Sequence, residues 1–265
     1  MKPIAQGPGS GLRTPDQVPM ILLVNDDGID APGFRALYRA LRAVTGEPVL
    51  AVAPAEERSG QGHAITLDRA LHATLRHEPG FLGFAIDGTP ADCTKLALDQ
   101  LCPEPPRLVV SGINRGPNVG RSLFYSGTVA AALEAAILGF PALAVSRQLG
   151  HHGDEDGAHL AARLARDLRG RTDLAGMVVN LNLPAKAEST WKPLVIAPHG
   201  LAGFQEGYRP VSANGRTGWQ LEGHWQPDAD PATDASRLTA GHPVLSLLRP
   251  DFNGDHARLE SLLHV

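Results

Sequence analysis

Several short polar segments contain side chains that could bind a metal ion or a phosphate group. The segment Asn25-Asp26-Asp27-Gly28 places two carboxylates next to each other, and adjacent negative charges raise each other's pKa unless a cation neutralises them. Oxygen ligands of this kind favour magnesium or manganese. The same residues could form an ordinary turn, because Asp-Gly is common in hairpins and an Asp before a helix is often a cap. The pair alone leaves both interpretations open.

A second polar segment lies between residues 54 and 63. Arg58 and Ser59 provide a guanidinium and a hydroxyl, followed by glycines at two of the next three positions. These groups could form the edge of a phosphate or metal site, or they could belong to an ordinary surface loop. His63 could serve as an acid, a base or a phosphate contact, although a single loop histidine usually has none of these roles.

A third polar segment, residues 111–120, precedes a predicted helix start. It contains Asn114 and Asn118 among glycines spaced by four residues, which lets the backbone approach a ligand closely. Ser126-Gly127-Thr128 then offers hydroxyl and amide groups at a helix N-terminus, where anions bind, although every helix also needs a cap. The sequence has no Walker, GxGxxG, GxSxG or HExxH motif.

Short apolar runs alternate with helical patterns, which predicts a Rossmann-like α/β fold: three αβα layers around a mostly parallel sheet. The predicted strands cover residues 20–24, 49–53, 108–110, 143–145 and 177–183. The predicted helices begin near Asp30, Thr89, Ser126 and Asp156. Ligands of such sheets bind at the carboxyl ends of the strands, where the strand order reverses. The three polar segments follow the first three predicted strands, so we expect them to share one crevice.

The chain is expected to have three parts. Residues 1–19 are rich in Gly and Pro and lack the apolar segment of a signal peptide, which predicts a flexible tail. Residues 20–185 would form the catalytic α/β core. Residues 186–265 would form a β-rich extension with strands near 192–197 and 244–248. The Gly- and Trp-rich stretch 200–231 lacks helical periodicity, and a hairpin used in oligomerisation is expected in this extension.

Composition limits the classes of function. The 265 residues are 43% hydrophobic and 20% charged, with a net charge of −4, so no basic surface is expected to hold a nucleic-acid polymer. A small phosphate compound could still bind if a metal or backbone amides neutralised it. No apolar run is long enough to span a membrane. The two cysteines, Cys93 and Cys102, cannot form a thiolate zinc cluster, and they fit a reducing cytoplasm.

The combined motifs resemble the SurE family, the metal-dependent 5′/3′-nucleotidases also called survival protein E. The resemblance runs from about residue 20 to residue 250, and it rests on five segments: ILLVNDDGIDAPG, PAEERSGQGHAIT, GTPADCTKLAL, SGINRGPNVGRSLFYSGTVAAALEA and VVNLNLP. The resemblance implies one divalent cation per subunit, Mn²⁺ or Mg²⁺. By position, its ligands correspond to four residues: Asp26, Asp27, Ser59 and Asn114.

The resemblance also indicates phosphate contacts and a reaction. Its phosphate-binding segment corresponds to Ser126, Gly127 and Thr128, and Asn118 is a further candidate for phosphate binding. Asp26 and Asp27 are the catalytic candidates, and Asp27 is the better candidate for accepting the proton of the attacking water.

The implied function is hydrolysis of nucleoside 5′- and 3′-monophosphates by a cytoplasmic homodimer or homotetramer, in which C-terminal extensions exchange between subunits. Two alternatives stay open: a broad-range phosphatase or exopolyphosphatase, and a nucleotide-binding protein without turnover. The segment after the last core strand, GLAGFQEGYRPVSANGRTGWQLEGHW, differs from the common family pattern. Substrate preference and assembly are therefore not determined by the sequence.

Overall fold

A computed structural model describes residues 20–150, 155, 157–213 and 216–251. Its strands are β1 (Ile21–Val24), β2 (Val49–Pro54), β3 (Ala73–Glu78), β4 (Phe81–Ile86), β5 (Leu108–Arg115), β6 (Ala142–Arg147), β7 (Val178–Leu183), β8 (Val195–Ile196), β9 (Gly203–Ala213), β10 (Arg216–Gln226) and β11 (Val244–Leu248). Its helices are α1 (Pro32–Thr45), α2 (Pro90–Leu96, continued by a π-helical turn to Leu101), α3 (Gly127–Ile137), α4 (Ala158–Leu168) and α5 (Asp234–Thr239). The tail predicted for residues 1–19 lies outside the described residues.

The main sheet has nine strands in the order β3-β4-β2-β1-β5-β6-β7-β11-β8. Only the pairs β3–β4 and β7–β11 are antiparallel. The chain moves outward from β1 through β2 and then returns to place β5 on the other side of β1. This reversal makes the carboxyl end of β1 the point where ligands bind in sheets of this kind. The predicted mostly parallel sheet is confirmed.

Helices cover both faces of the sheet, which confirms the three predicted layers. Ile21 and Leu23 pack with α1 and α4 on one face, and Leu22 and Val24 pack with α2 and α3 on the other. A central parallel strand is therefore buried on both sides, which explains why its sequence is an unbroken apolar run.

The predicted helix starts have different outcomes. Thr89 and Ser126 cap α2 and α3 as predicted, each accepting a hydrogen bond from a backbone amide of the first turn. The prediction that Asp30 caps α1 is wrong, because Ala31 occupies the cap position without a side-chain bond. The carboxylate of Asp30 instead accepts a hydrogen bond from Arg35 at 2.7 Å. Asp156 lies outside the described residues, and Gly157 precedes α4.

The hairpin formed by β3 and β4 was not among the predicted strands. All six residues of β3 are exposed, so this edge strand lacks the apolar run on which the other strand predictions depend. The turn between the two strands contains Gly80 at φ +80°, a conformation that favours glycine.

The predicted β-rich extension divides between two places. β8 and β11 complete the main sheet, whereas β9 and β10 form a separate antiparallel hairpin, which we call the arm (residues 203–226). The domain boundary near residue 185 remains a prediction. None of the helices in the described ranges is long and apolar enough to cross a membrane.

The segment where the arm begins, residues 200–203, is called the arm root and packs against the loop that follows β5. The buried carboxylate of Asp234, in α5, accepts hydrogen bonds from the amides of Gly120 at 3.1 Å and Gly200 at 3.0 Å. A Cβ on Gly120 would lie 2.3 Å from the carbonyl oxygen of Ala202, so this close contact requires glycine. The loop after β5 and the arm root therefore form one packed unit.

Candidate active site

The polar segment after β1 forms a closed turn at the centre of the sheet. The side-chain amide of Asn25 donates to the carbonyl oxygen of Gly28 at 2.8 Å, and its Oδ1 accepts from the Gly28 amide at 3.3 Å. Gly28 has a φ of +99°. α1 follows this turn, so the alternative of a β-hairpin at Asp-Gly is excluded.

Asp26 is buried and lies against the start of α3. Its carboxylate accepts hydrogen bonds from the hydroxyl and the backbone amide of Thr128. A Cβ on Gly127 would lie only 2.7 Å from the Cβ of Asp26, so glycine is required for this approach. Burial raises the pKa of Asp26, and the Thr128 hydrogen bonds oppose that rise. Asp26 thus uses the Thr128 donors at this helix N-terminus.

Asp27 lies beside Asp26 and is held by a hydrogen bond from a residue of the neighbouring strand, β5. Its Oδ2 accepts a hydrogen bond from the backbone amide of Arg115, in β5, at 3.3 Å. Burial, followed by the negative charge of Asp26, raises the pKa of Asp27 from 3.8 to about 6. Two partly desolvated carboxylates are costly to ionise together, and a bound cation removes that cost.

The sequence neighbours of Ser59 and Asn114, Arg58 and Arg115, bond to the two aspartates. The backbone amide of Arg58 donates to the carbonyl oxygen of Asp26 at 2.8 Å, which ties the loop after β2 to the end of β1. The hydroxyl of Ser59 donates to Oε1 of Glu57 at 2.7 Å. The side-chain amide of Asn114 donates to the carbonyl oxygen of Gly116 at 2.8 Å, which turns its Oδ1 away from that contact.

The hydrogen bonds of the four predicted ligands have one feature in common. Each ligand has one polar atom held by a hydrogen bond and retains oxygen lone pairs for a ligand, which is how outer partners orient metal ligands in proteins. All four provide oxygen, the donor that Mg²⁺ and Mn²⁺ prefer. Within the described residues, no group of three or more His, Cys, Asp or Glu could hold a metal. In the predicted set, two carboxylates are joined by two neutral oxygens, those of Ser59 and Asn114.

The predicted phosphate contacts have mixed surroundings. Ser126 caps α3 through a hydrogen bond from the Val129 amide at 3.0 Å, and Thr128 is bound to Asp26. The amide of Gly127, at the first position of α3, is the group of this segment best placed to meet an anion.

Asn118 holds the loop after β5 against the sheet. Its side-chain amide donates to Ser146 Oγ at 2.8 Å, and its backbone groups bond to the side chains of Asn180 and Asn182. Its role in phosphate binding stays a prediction. The Nε–H of Arg58, by contrast, is buried without a hydrogen-bond partner among the described residues, and it could donate to an anion.

Two features of the site had no signal in the sequence. Glu57 contacts Ser59, and the carboxylate of Glu134, in α3, binds His63 at 2.9 Å and Lys95. His63 and Glu134 are 71 positions apart, so this contact depends on the tertiary fold.

The family profile described as Survival protein SurE matches residues 21–206, well over half of the chain. The chain belongs to the SurE family. Relatives named 5′-nucleotidase SurE include proteins from two bacteria. That of Nitratidesulfovibrio vulgaris (strain Miyazaki F) is 43% identical over 93% of this chain and 92% of its own length. That of Moorella thermoacetica is 42% identical over 88% and 90%.

A solved SurE structure has the same architecture. The crystal structure of the SurE protein from Aquifex aeolicus superposes with a TM-score of 0.77 at 29% identity, covering 93% of this chain and 99% of the other. The similarity includes nearly the full length of both chains. The SurE fold predicted from the motifs is therefore confirmed.

Proposed function

We propose that this chain is a metal-dependent phosphomonoesterase that hydrolyses nucleoside 5′-monophosphates, and also 3′-monophosphates, to nucleoside and phosphate. The observation that supports the proposal is a pair of hydrogen bonds between the segments at the ends of β1, β2 and β5: the Arg58 amide donates to the carbonyl oxygen of Asp26 at 2.8 Å, and the Arg115 amide donates to the carboxylate of Asp27 at 3.3 Å. The proposed cation ligands are these two aspartates with the neighbours of the two donors, Ser59 and Asn114. The names of the relatives, 5′-nucleotidase SurE, support the substrate class and the assignment as a hydrolase.

The residues present fit one Mn²⁺ or Mg²⁺ ion. A cation bound there would polarise the phosphate ester and lower the pKa of a bound water. Asp27, which is held by the Arg115 amide through one carboxylate oxygen, is the proposed acceptor for the proton of the attacking water.

The start of α3 would bind the phosphate group. The amide of Gly127 and the positive end of the helix dipole would stabilise the phosphoryl oxygens as negative charge develops on them. Ser126 and Thr128 would shape this end of the site, Thr128 by holding Asp26 and Ser126 by capping the helix. Asn118 would keep the neighbouring loop in place beside the phosphate.

The protein is further proposed to act in the cytoplasm as a homodimer or homotetramer. Both cysteines in the described structure are free thiols, which suits a reducing compartment. The arm supports assembly, because Tyr208 and Trp219 are 70% and 67% exposed and such side chains are enriched at subunit interfaces.

The test is phosphate release from a panel of nucleoside 5′- and 3′-monophosphates. Chelator-stripped protein would be compared with protein supplied with Mn²⁺ or Mg²⁺. We expect release only with metal, and we expect Asp27→Asn to lose at least about a hundredfold in turnover while folding normally. Asp167→Asn, on the exposed surface of α4, is the matched control with unchanged activity. Near-normal turnover of Asp27→Asn would contradict the site assignment.

Other outcomes would identify the alternatives. Metal-dependent hydrolysis of short polyphosphate in preference to nucleotides would indicate a broad-range phosphatase. Equilibrium nucleotide binding without phosphate release would indicate a binding protein.

A further inference from the structure

Ser59 differs from the other three proposed ligands in what holds it. Asp26 is held by the buried Thr128, Asp27 by the Arg115 amide and Asn114 by the Gly116 carbonyl. Those partners belong to α3, to β5 and to the backbone that follows β5. Ser59, on an exposed loop, is held by an exposed side chain, that of Glu57. The orientation of the Ser59 side chain therefore depends on the Glu57 carboxylate, a group that a substitution can remove.

The loop around Ser59 has few other restraints. The amides of Arg58 and Gly62 bond to the carbonyl oxygens of Asp26 and Tyr125 at 2.8 and 3.1 Å. The residues between these two ties are exposed, and Gly60 has a φ of +73°. A serine in such a segment needs an additional contact to keep one rotamer, because packing does not select one.

A serine hydroxyl binds a cation through an oxygen lone pair, so its O–H bond must point away from the ion. A carboxylate is the strongest acceptor for that proton, and hydrogen bonds to a charged acceptor are shorter and stronger than neutral ones. Glu57 already accepts the Ser59 proton at 2.7 Å. The lone pairs of the Ser59 oxygen are thereby left for the cation.

Glu57 is also close to the two aspartates. Gly28, the residue that follows the aspartates, packs on the backbone of Glu57, since a Cβ built on this glycine would lie 3.5 Å from the Glu57 nitrogen. A cation between these groups would feel the negative charge of Glu57.

We propose that Glu57 is a positioning residue for cation binding. Its carboxylate holds the Ser59 hydroxyl in the orientation that ligation requires, and this strengthens the binding of the cation. This inference rests on the proposed function, because it assumes that a cation binds at Asp26, Asp27, Ser59 and Asn114.

The test measures the Mn²⁺ affinity of the full chain by calorimetric titration after chelator treatment. Glu57→Gln keeps the shape of the side chain and replaces the charged acceptor of the Ser59 proton with a neutral, weaker one. We expect its Kd to rise by roughly 10- to 100-fold, the usual cost of removing an outer partner of a metal ligand. Glu56→Gln is the matched control, because it removes the same charge from the adjacent exposed position. Its Kd should stay within about twofold of the wild-type value, and all variants should unfold at the same temperature without metal.

A double-mutant cycle separates positioning from simple charge. If Glu57 acts through Ser59, then Glu57→Gln should change the Kd by less than about twofold in a Ser59→Ala background. A Glu57→Gln Kd equal to that of the wild type would overturn the proposal. So would a full effect that persists without the serine hydroxyl, because that result would indicate direct ligation or long-range charge. Failure of the wild-type chain to bind Mn²⁺ would instead remove the proposed function itself.

Discussion

At the scale of single residues, the site is built from groups whose ionisation costs the fold stability. Asp27 has a pKa of about 6, above its ordinary value of 3.8, because it is partly buried beside Asp26. A raised acid pKa means that the folded protein binds the proton more tightly than the unfolded chain does. The stability of the metal-free protein should therefore fall as the pH rises from about 4 to about 6 through this group.

This dependence predicts the effect of Asp27→Asn on stability. The variant carries no charge at this position, so without metal we expect it to be more stable than the wild type at pH 7.5, by about 1–2 kcal/mol after allowance for solvent screening. The difference should shrink toward zero below about pH 3, where the wild-type carboxyl is protonated in both the folded and the unfolded state. Urea unfolding in the presence of a chelator at the two pH values measures it.

The opposite trend would show that the Asp27 carboxylate is not strained in the metal-free fold. Excess Mn²⁺ provides the control, because a cation that binds only the folded wild type should reverse the order of stability at pH 7.5.

At the scale of elements, a buried carboxylate connects the serine-bearing loop to two helices. Glu134, in α3, has a side chain that is 6% exposed and binds His63 of the loop and Lys95 of α2. The hydrogen bond from His63, followed by the contacts with Lys95, lowers the pKa of Glu134 from 4.5 against the effect of burial. The cluster thus contributes stability when Glu134 is ionised, and this contribution is lost as the pH falls below 4.5 through the lowered pKa.

We expect Glu134→Gln to destabilise the protein by about 1–3 kcal/mol at pH 7, because two donors lose a charged acceptor in a buried setting. The difference from the wild type should decrease at pH values below 4.5. The measurement is urea unfolding of both proteins across this pH range. Glu222→Gln, which breaks the exposed pair with Arg209 on the arm, should cost no more than about 1 kcal/mol. Equal effects of the two substitutions would contradict the role given to Glu134.

Strands and helices could be predicted from the sequence where burial produces a pattern of apolar residues or where a local cap marks a helix start. The central strands are apolar runs because both of their faces are covered, and Thr89 and Ser126 cap helices through local hydrogen bonds. The edge strand β3 is exposed and polar, so it has no such pattern. Its hairpin had one local signal, the Pro79-Gly80 pair at the turn.

The candidate site shows the same limit. The resemblance supplied four oxygen ligands, and the strand ends explain why they can meet. The contact between His63 and Glu134, which are 71 positions apart, does not follow from local sequence. Such contacts depend on where two distant segments lie in the tertiary fold, and helix-capping or periodicity rules contain no information about that.

At the scale of the whole molecule, the arm is a hairpin that has few means of stabilising itself within one subunit. It pairs β9 with β10 over eleven positions, apart from the main sheet. Phe204, Tyr208, Trp219 and Leu221 are all at least half exposed. A two-stranded hairpin in water is only marginally stable, so the arm is expected to gain stability from another subunit.

We expect removal of the arm to produce a monomer. Gly203 pairs with Gln226 at the arm root, so an Asn-Gly turn could replace residues 204–225 and still close the hairpin. The mass in solution, measured by light scattering during size-exclusion chromatography, should fall from that of the proposed homodimer or homotetramer to that of one subunit. An oligomer of unchanged size would show that other surfaces hold the subunits together. A far-UV circular dichroism spectrum that keeps the helical signal is the control for folding.

The position of Asp234 has a consequence for how assembly and catalysis depend on each other. Its carboxylate bonds both to the arm root and to the loop after β5. Asn114 lies near the end of β5, just before that loop. If subunits exchange arms, the same loop takes part in two equilibria, the exchange of arms and the binding of the cation. Thermodynamic reciprocity then requires that any effect of arm exchange on cation affinity be matched by an equal effect of the cation on subunit affinity. With such a coupling, dilution alone would change how tightly the enzyme holds its metal.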